Sequence, residues 1–337
     1  MSDEILPEGQ QSDWSSLLEE LNLPKLLLGP AGQALSRLVG HVADVPAEYV
    51  KSFTQVIKDK RDARTEVSKA LSAAVAKEVA GDSELIKRAT QSLLAKELRA
   101  QTNKEEIAKK VVDHLHADLE AEDSNPQAPD EDWFNVFEQY AENASSEKLR
   151  DLWSRVLAKQ IRKPKSFSLR TMRFVSELDM ETAALFEKHS GSIINRQYIV
   201  KPPQLEGQTF GDLLDLEHAG LLTGVQGNVS QGFRNPTVGA LTELVFMFAN
   251  SAVIVNAVGP YNVNLPVIAL TTIGKEILAI VEPSDGLESA RILAEMFPKN
   301  NVTAVRYGKL TEGRNGIEDA ITVFEAAPAQ APDKVAE

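Results

Sequence analysis

The stretch from Asp130 to Ser190 constrains the fold of this chain most, because it combines helical periodicity with aromatic anchors. Its first apolar residues recur at i, i+4, i+7 and i+11, the spacing of one helix face: Trp133, Phe137, Tyr140 and Ala144. Proline at position 164 ends the helix that follows. The pattern predicts helices at Asp132–Ala144 and Ser146–Ile161, which we expect to form an antiparallel pair with their aromatic faces together.

Two shorter helices are predicted in the rest of this stretch. Ser166 or Ser168 can cap a helix that carries Leu169, Met172 and Val175 on its inner face. Asp179 can cap the next one, over Met180–Phe186. The stretch as a whole therefore predicts a central helical segment.

A run of basic residues lies within this segment, although the whole chain has a net charge of -13. No acidic residue interrupts the run, whose members are Arg155, Lys159, Arg162, Lys163, Lys165, Arg170 and Arg173. It surrounds Pro164 and leads into a helix N-terminus, where free N–H groups and the helix dipole favour anions. We predict that these seven residues bind an anionic or acidic partner. The alternative is that they pair with the chain's own carboxylates.

The length of 337 residues is sufficient for two or three domains and a sizeable core. The helical signals end near Ser190, and Val/Ile-rich pieces between turn residues follow. The chain is therefore predicted to be α+β. The expected division is a mobile acidic N-terminus (1–24), a helical domain (25–120), an acidic linker (121–132), the central helical segment (133–190), an α+β domain (191–326) and a disordered tail (327–337).

Element signals outside the central segment give the remaining predictions. In the helical domain the expected helices are Ala31–Val39, Pro46–Ala80, Ser83–Arg99 and Lys104–Leu119, the last capped by Asn103. In the α+β domain the expected helices are Phe210–His218, Ile273–Val281 and Leu287–Phe297. The expected strands are Ile193–Ile194, Tyr198–Val200, Leu244–Ala249, Ala252–Val258, Val267–Leu270, Val302–Tyr307 and Ile321–Glu325, with a Gly/Asn-rich loop at Val225–Gly239.

Composition excludes several classes of protein. The chain has no cysteine, so a disulfide framework, a thiolate metal site and a cysteine nucleophile are all excluded, which suits a cytoplasmic location. Residues 1–24 carry no basic side chain, unlike a secretory signal. The uncharged run Leu244–Gly274 is broken by Asn, Gly and Pro into pieces too short to cross a bilayer as a helix, so no transmembrane segment is predicted.

No pattern of catalytic, cofactor-binding or metal-binding residues stands out. His114 and His116 are two residues apart on a predicted helix and so point in different directions. Gly227–Gly232 has the glycine spacing of a phosphate-binding loop but lacks the Lys-Ser/Thr pair that would follow it. Asp212 and Asp215 are interpreted as a solvated helix face. We therefore expect a protein without enzymatic activity, cofactor or metal.

A winged-helix arrangement is the remaining candidate for the C-terminal domain. Phe210–Leu222 is typical of the helix and turn that end many such domains, and Leu270–Leu278 is typical of the segment after the wing. The helix Phe210–His218 has acidic residues and no Arg or Lys, so phosphate would repel it. The arrangement then favours protein contacts. A DNA-binding regulator that uses this domain together with the basic run is the alternative.

The sequence also resembles a bacterial family of unknown function that is similar to the Abi-alpha abortive-infection proteins. The resemblance covers most of the chain and is strongest at Asp132–Trp133, Leu152–Trp153, Val156–Ala158, Pro164–Thr171 and Ala183–Phe186, with further likeness at Asn103–Ile107 and Leu270–Leu278. The residue after the proline is commonly Gly in that family, and here it is Lys165. The resemblance carries over no catalytic residue. It implies a cytoplasmic protein of phage exclusion whose partner is a protein, either phage-derived or a second copy of the chain, with nucleic acid as an option at the basic run.

Overall fold

The fold was analysed in a computed structural model that describes residues 29–39, 83–117, 127–235 and 241–326. Helices and antiparallel sheets occur together in these residues, so the chain is an α+β protein, as predicted. It divides into two compact units, Met1–Met172 and Arg173–Glu337. The predicted helix Pro46–Ala80 and both predicted terminal segments lie outside the described residues. The finer division into six segments stays a prediction.

The described part of the first unit is helical. Its helices are α1 (Pro30–Leu38), α2 (Ser83–Ala117), α3 (Glu131–Ala141) and α4 (Glu147–Arg162), and α5 (Leu169–Glu177) begins in this unit and ends in the second. Side-chain caps fix three of the starts, since Asp130, Ser146 and Ser168 each accept a hydrogen bond from the backbone N–H three residues on.

Helix α2 is one continuous helix, and the predicted break at Asn103 is wrong. The Asn103 side chain is buried and does not cap a helix. Its Nδ2 donates to the carbonyl oxygen of Glu142 (2.8 Å), and its Oδ1 accepts from Arg150 (3.3 Å). Asn103, which the sequence predicted as a helix cap, therefore binds a backbone carbonyl group at the C-terminal end of α3.

Aromatic rings join α3 to α4, as predicted. Within α3 the rings of Trp133 and Phe137 stack with centroids 5.3 Å apart, and between α3 and α4 the rings of Tyr140 and Trp153 stack at 5.6 Å. Phe137 also meets Trp153 edge to face at 5.7 Å. The main backbone neighbour of helix α4 is α2, where Lys110 forms an ion pair with Glu147 at 2.7 Å. The sequence pattern did not indicate this second neighbour.

The second unit contains short helices and two sheets. Its helices are α6 (Met180–Ser190), α7 (Gly207–His218), α8 (Thr272–Ile277) and α9 (Leu287–Met296). Its strands are β1 (Ile193–Ile194), β2 (Tyr198–Val200), β3 (Leu222–Thr223), β4 (Ser230–Asn235), β5 (Leu241–Met247), β6 (Ser251–Val258), β7 (Tyr261–Leu270), β8 (Val302–Leu310) and β9 (Ile317–Glu325). Every strand pairing is antiparallel.

The first sheet has the order β1-β2-β7-β3, and β4 pairs with the N-terminal part of β7, from Tyr261 to Pro266. Strand β7 is central, because Ile199 of β2 faces Ile268 and Leu222 of β3 faces Leu270. Buried and exposed residues alternate along β7 from Tyr261 to Val267, which extends this strand beyond its predicted start. The predicted loop Val225–Gly239 is wrong over Ser230–Asn235, because β7 supplies backbone partners to a segment that has no apolar alternation of its own.

The second sheet has the order β5-β6-β8-β9, and α9 packs on one of its faces. Phe246, Val253 and Val255 point from the strands into this core, where Leu293 and Phe297 meet them. The ring centroids of Phe246 and Phe297 lie 5.2 Å apart. This core holds α9 in place. The same helix also lines a cavity together with residues of β1 and β2.

Across the described ranges, no helix is both long and apolar enough to cross a membrane.

Candidate functional site

The turn between α4 and α5 is held by Phe167. The ring of Phe167 is buried, its N–H donates to Oε1 of Gln160 (3.2 Å), and its carbonyl oxygen accepts from Nε1 of Trp133 (2.8 Å). The Ser166 hydroxyl donates to the carbonyl oxygen of Lys163 (2.6 Å). Because both backbone groups of Phe167 are bonded inside the unit, the residues on either side are presented from a fixed backbone.

Lys165 lies at the tip of this turn with a φ of 65°. This left-handed conformation favours glycine, and a residue with a Cβ atom loses about 1 kcal/mol there. In this chain the turn instead carries a lysine at a position that is conformationally unfavourable for it.

Four of the seven residues of the predicted basic site contact other groups in the chain or are partly covered. Arg155 forms an ion pair with Asp151 at 2.9 Å, and Arg162 donates to the carbonyl oxygens of His114 (3.2 Å) and Leu115 (2.7 Å) in the last turn of α2. Lys159 is half-buried. Arg173, in the second unit, pairs with Glu177 at 3.1 Å. Arg162 thus satisfies helix-end carbonyls, a structural use of a cation.

The other three residues are Lys163, Lys165 and Arg170, which we call the basic turn. All three are exposed. Within the described ranges, their side chains form no hydrogen bond and no ion pair. Unpaired ammonium and guanidinium groups on a fixed backbone can bind carboxylate or phosphate through charge-assisted hydrogen bonds. The basic turn has the chemistry of an anion-docking surface.

A second polar cluster surrounds Asp212 on α7. Its carboxylate is buried, with 4% of the side chain exposed. It accepts hydrogen bonds from Lys188 Nζ (2.6 Å), His189 Nε2 (2.9 Å) and Gln208 Nε2 (2.6 Å). The Lys188 ammonium, and then the His189 and Gln208 donors, hold the pKa of Asp212 well below its usual range. Because the carboxylate is ionised and can only accept, Nε2 of His189 carries the proton.

The sequence interpretation of Asp212 as part of a solvated face is wrong, whereas Asp215 is exposed as expected. One sequence signal could have found the buried carboxylate. Asp212 precedes Leu216 by four residues, and residues four apart share a face of a helix. Leu216 is fully buried, so Asp212 lies on the inward face of α7. Its partners on α6 come from a distant part of the chain, and the sequence spacing did not indicate them.

Among the described residues, no three His, Asp or Glu side chains are grouped so that they could hold a metal ion. His114 contacts Asp151 at 3.3 Å, and the side chain of His116 lies outside the described residues. At the start of the Gly227–Gly232 segment, the carbonyl oxygen of Gly227 accepts a hydrogen bond from Lys201, as does that of Val225 just before it. That loop therefore presents carbonyl oxygens to a lysine, whereas a phosphate would require N–H groups.

Comparison with known proteins places part of the chain in a described family model. Residues 87–197, about a third of the chain, match the family model described as a protein of unknown function (DUF2806). No curated protein and no solved structure matches the chain. The matched segment contains the basic turn and His189, and Asp212 lies beyond it. The family description assigns no activity, so the function has to be argued from the sites themselves.

Proposed function

We propose that this chain is a non-enzymatic interaction or regulatory protein that docks an anionic or acidic partner at the basic turn. The proposal rests on a difference among the seven basic residues, since some of them are bonded within the chain and others are exposed. Arg155 and Arg162 are bonded inside the first unit, while Lys163, Lys165 and Arg170 are exposed and have no charged partner among the described residues. Internal pairing, the alternative use of the run, therefore accounts for only some of its members.

The setting of the proposed interaction is the bacterial cytoplasm, in defence against phage. Support for this setting comes from the resemblance to the Abi-alpha proteins, and the partner we propose is an acidic surface of a protein. The overall charge of -13 disfavours general binding to nucleic acid and leaves the basic turn as a local exception. The acidic surface belongs either to a phage-derived protein or to a second copy of this chain, and a measurement of self-association distinguishes the two sources.

The test is a triple charge reversal, Lys163→Glu, Lys165→Glu and Arg170→Glu, in the full chain. A matched control reverses three exposed lysines elsewhere, Lys148, Lys275 and Lys309, so that net charge changes equally. Stability of both variants should stay within about 1 kcal/mol of the wild type, because exposed substitutions usually have small effects. Fluorescence anisotropy with a labelled poly-glutamate peptide should show binding that the triple reversal abolishes and the control retains.

A phage-plating assay extends this test to the biological role. Cells that express the wild-type chain should plate a sensitive phage less efficiently than cells with an empty vector, and only the basic-turn reversal should restore plating. A reversal that is folded and fully active in both assays would exclude the basic turn as the docking surface. Turnover of nucleotide, nucleic acid or NAD that a point mutation abolishes would contradict the non-enzymatic assignment. Concentration-dependent self-association that the reversal abolishes would identify a second copy as the partner.

A winged-helix-type DNA-binding regulator is the second candidate, and its support is the pairing of β3, which follows α7, with β7, which precedes α8. Strands β4, β5 and β6 lie between β3 and β7 in the chain. Against DNA contact, α7 has no Lys or Arg, and its Glu217 accepts hydrogen bonds from the N–H groups of Gly224 and Val225. A labelled DNA duplex decides between the candidates: binding with a salt slope of about -3 would fit three phosphate contacts and favour the DNA reader.

A further inference from the structure

The second unit contains a cavity of about 140 Å³ between α9, strands β1 and β2, and the segment that leads into α7. Most of its wall is apolar, and Ile199, Leu213, Phe248, Leu293 and Met296 contribute to it. An apolar cavity of about 150 Å³ in another protein binds benzene. The space therefore matches a single six-membered ring. It is distinct from the basic turn, which belongs to the first unit.

Four residues that line the cavity are polar. His189, Ser192, Thr209 and Ser289 line it, and the hydroxyl groups of Ser192 and Ser289 are 2.9 Å apart and bond to each other. His189 donates through Nε2 to Asp212, so in the neutral ring Nδ1 is an acceptor. Across the described ranges, Nδ1 of His189 makes no hydrogen bond. The Asp212 cluster thus fixes the histidine and leaves one acceptor atom without a partner.

No Asp, Glu, Lys or Arg is among the described residues that line the cavity. A charged ligand would lose its hydration there without gaining a counter-charge, which is strongly unfavourable. A neutral hydroxyl group could instead donate to the free acceptor of His189. The wall composition thus excludes carboxylates and ammonium compounds and favours a neutral ring that bears a hydrogen-bond donor.

We propose that this cavity binds a small neutral hydroxylated ring compound, of the size of phenol, whose ring packs on Phe248 and Met296 and whose hydroxyl group donates to His189. The role of the Asp212 cluster is to hold the imidazole in the tautomer that accepts this bond. The site is independent of the docking function proposed above. If the cavity did not bind such a compound, the proposed docking of a partner at the basic turn would not be affected.

The first test uses phenol and the full chain labelled with ¹³C at its methionine methyl groups. Titration should shift the Met296 resonance, with a dissociation constant of about 0.1–1 mM for so small a ligand. Met172 and Met180, which do not line the cavity, should not shift. Benzene should bind about 2–10-fold more weakly because one hydrogen bond is lost. Benzoate, which is charged at neutral pH, should bind at least tenfold more weakly than phenol.

The second test fills the cavity by Ile292→Trp. Ile292 lines the cavity and is 37% exposed, so a larger side chain can enter the space from its mouth without displacing the core. This variant should lose phenol binding. Ile321→Trp, at an exposed position of β9 outside the cavity, is the matched control and should bind as the wild type does. Circular dichroism checks that both variants are folded.

Any of three results would overturn the proposal. The first is a Met296 resonance that does not move at about 20 mM phenol, which is well above the expected dissociation constant. The second is equal affinity for phenol and benzoate, and the third is unchanged phenol binding in a folded Ile292→Trp variant. If that variant does not fold, the proposal is tested on the wild-type protein alone, by the methionine shifts and by the comparison of phenol with benzoate.

Discussion

The basic turn and the Asp212 cluster use charge in opposite ways. In the basic turn three cations are exposed and have no partner among the described residues, while the backbone under them is fixed by the buried Phe167. In the Asp212 cluster one buried anion is surrounded by three donors. Charges of the first kind contribute little to stability and are available for binding, whereas a buried, fully bonded charge is coupled to folding. The four predictions below test this difference.

The largest effect is expected from Asp212→Ala. The substitution leaves the buried His189 without its acceptor inside the unit and removes hydrogen bonds to a charged group, so it should lower the free energy of unfolding by about 3 kcal/mol. Lys188 is 59% exposed at its side chain and can be hydrated, which limits the loss. Chemical denaturation measures it, and Asp215→Ala on the same helix is the control, with an expected change below about 0.5 kcal/mol. If the two substitutions lowered the free energy of unfolding equally, the buried carboxylate of Asp212 would be no more coupled to folding than the exposed carboxylate of Asp215.

Trp133→Phe should destabilise the first unit, because the buried carbonyl oxygen of Phe167 loses its donor. The matched variant is Trp153→Phe, which loses the same ring volume at a buried position but no hydrogen bond to a described residue. We expect Trp133→Phe to cost about 1 kcal/mol more than Trp153→Phe in chemical denaturation. It should also weaken peptide binding at the basic turn. Identical losses would mean that the indole bond does not anchor the turn.

Acid should weaken the fold partly through Asp212. Its pKa is lowered in the folded state, chiefly by Lys188, so its contribution is complete above the unfolded-state pKa of about 3.9 and is lost as pH falls through the folded-state pKa. Between pH 5 and pH 3 the wild type should therefore lose about 1 kcal/mol more than an Asp212→Asn variant does. Denaturation curves at both pH values measure this difference. Parallel curves for the two proteins would show that the carboxylate is not coupled to folding.

The smallest effect concerns the backbone of the basic turn. A Lys165→Gly variant should be more stable than Lys165→Ala by about 0.5–1 kcal/mol, because only glycine adopts the left-handed conformation without cost. The neighbouring Lys163 has a φ of -130°, so the same pair of substitutions there should not favour glycine. Thermal unfolding compares the four variants. A glycine preference at both positions, or at neither, would contradict the assignment of strain to Lys165.

The local features of the sequence were sufficient to predict much of the helical part. Periodicity located α3 and α4 to within a few residues. Asp179 was predicted as a cap, and Ser168 was one of the two candidates for the cap of α5. Asn103 shows the limit of such reasoning, because a residue with a cap's chemistry is used inside a continuous helix. Strand β4 shows another limit. Its backbone is paired only because β7 lies beside it, and no residue within Ser230–Asn235 signals that pairing.

The sequence by itself determined that this chain is α+β, where most of the described helices begin, and which seven cations form an uninterrupted run. Periodicity, caps and proline act over a few residues and can be read along the chain. Only the tertiary structure decided that Arg162 bonds to the end of α2, that Lys163, Lys165 and Arg170 are exposed, and that Asp212 is buried beside His189. The physical reason is that the environment of a charge depends on neighbours brought together from distant segments, which no local pattern contains.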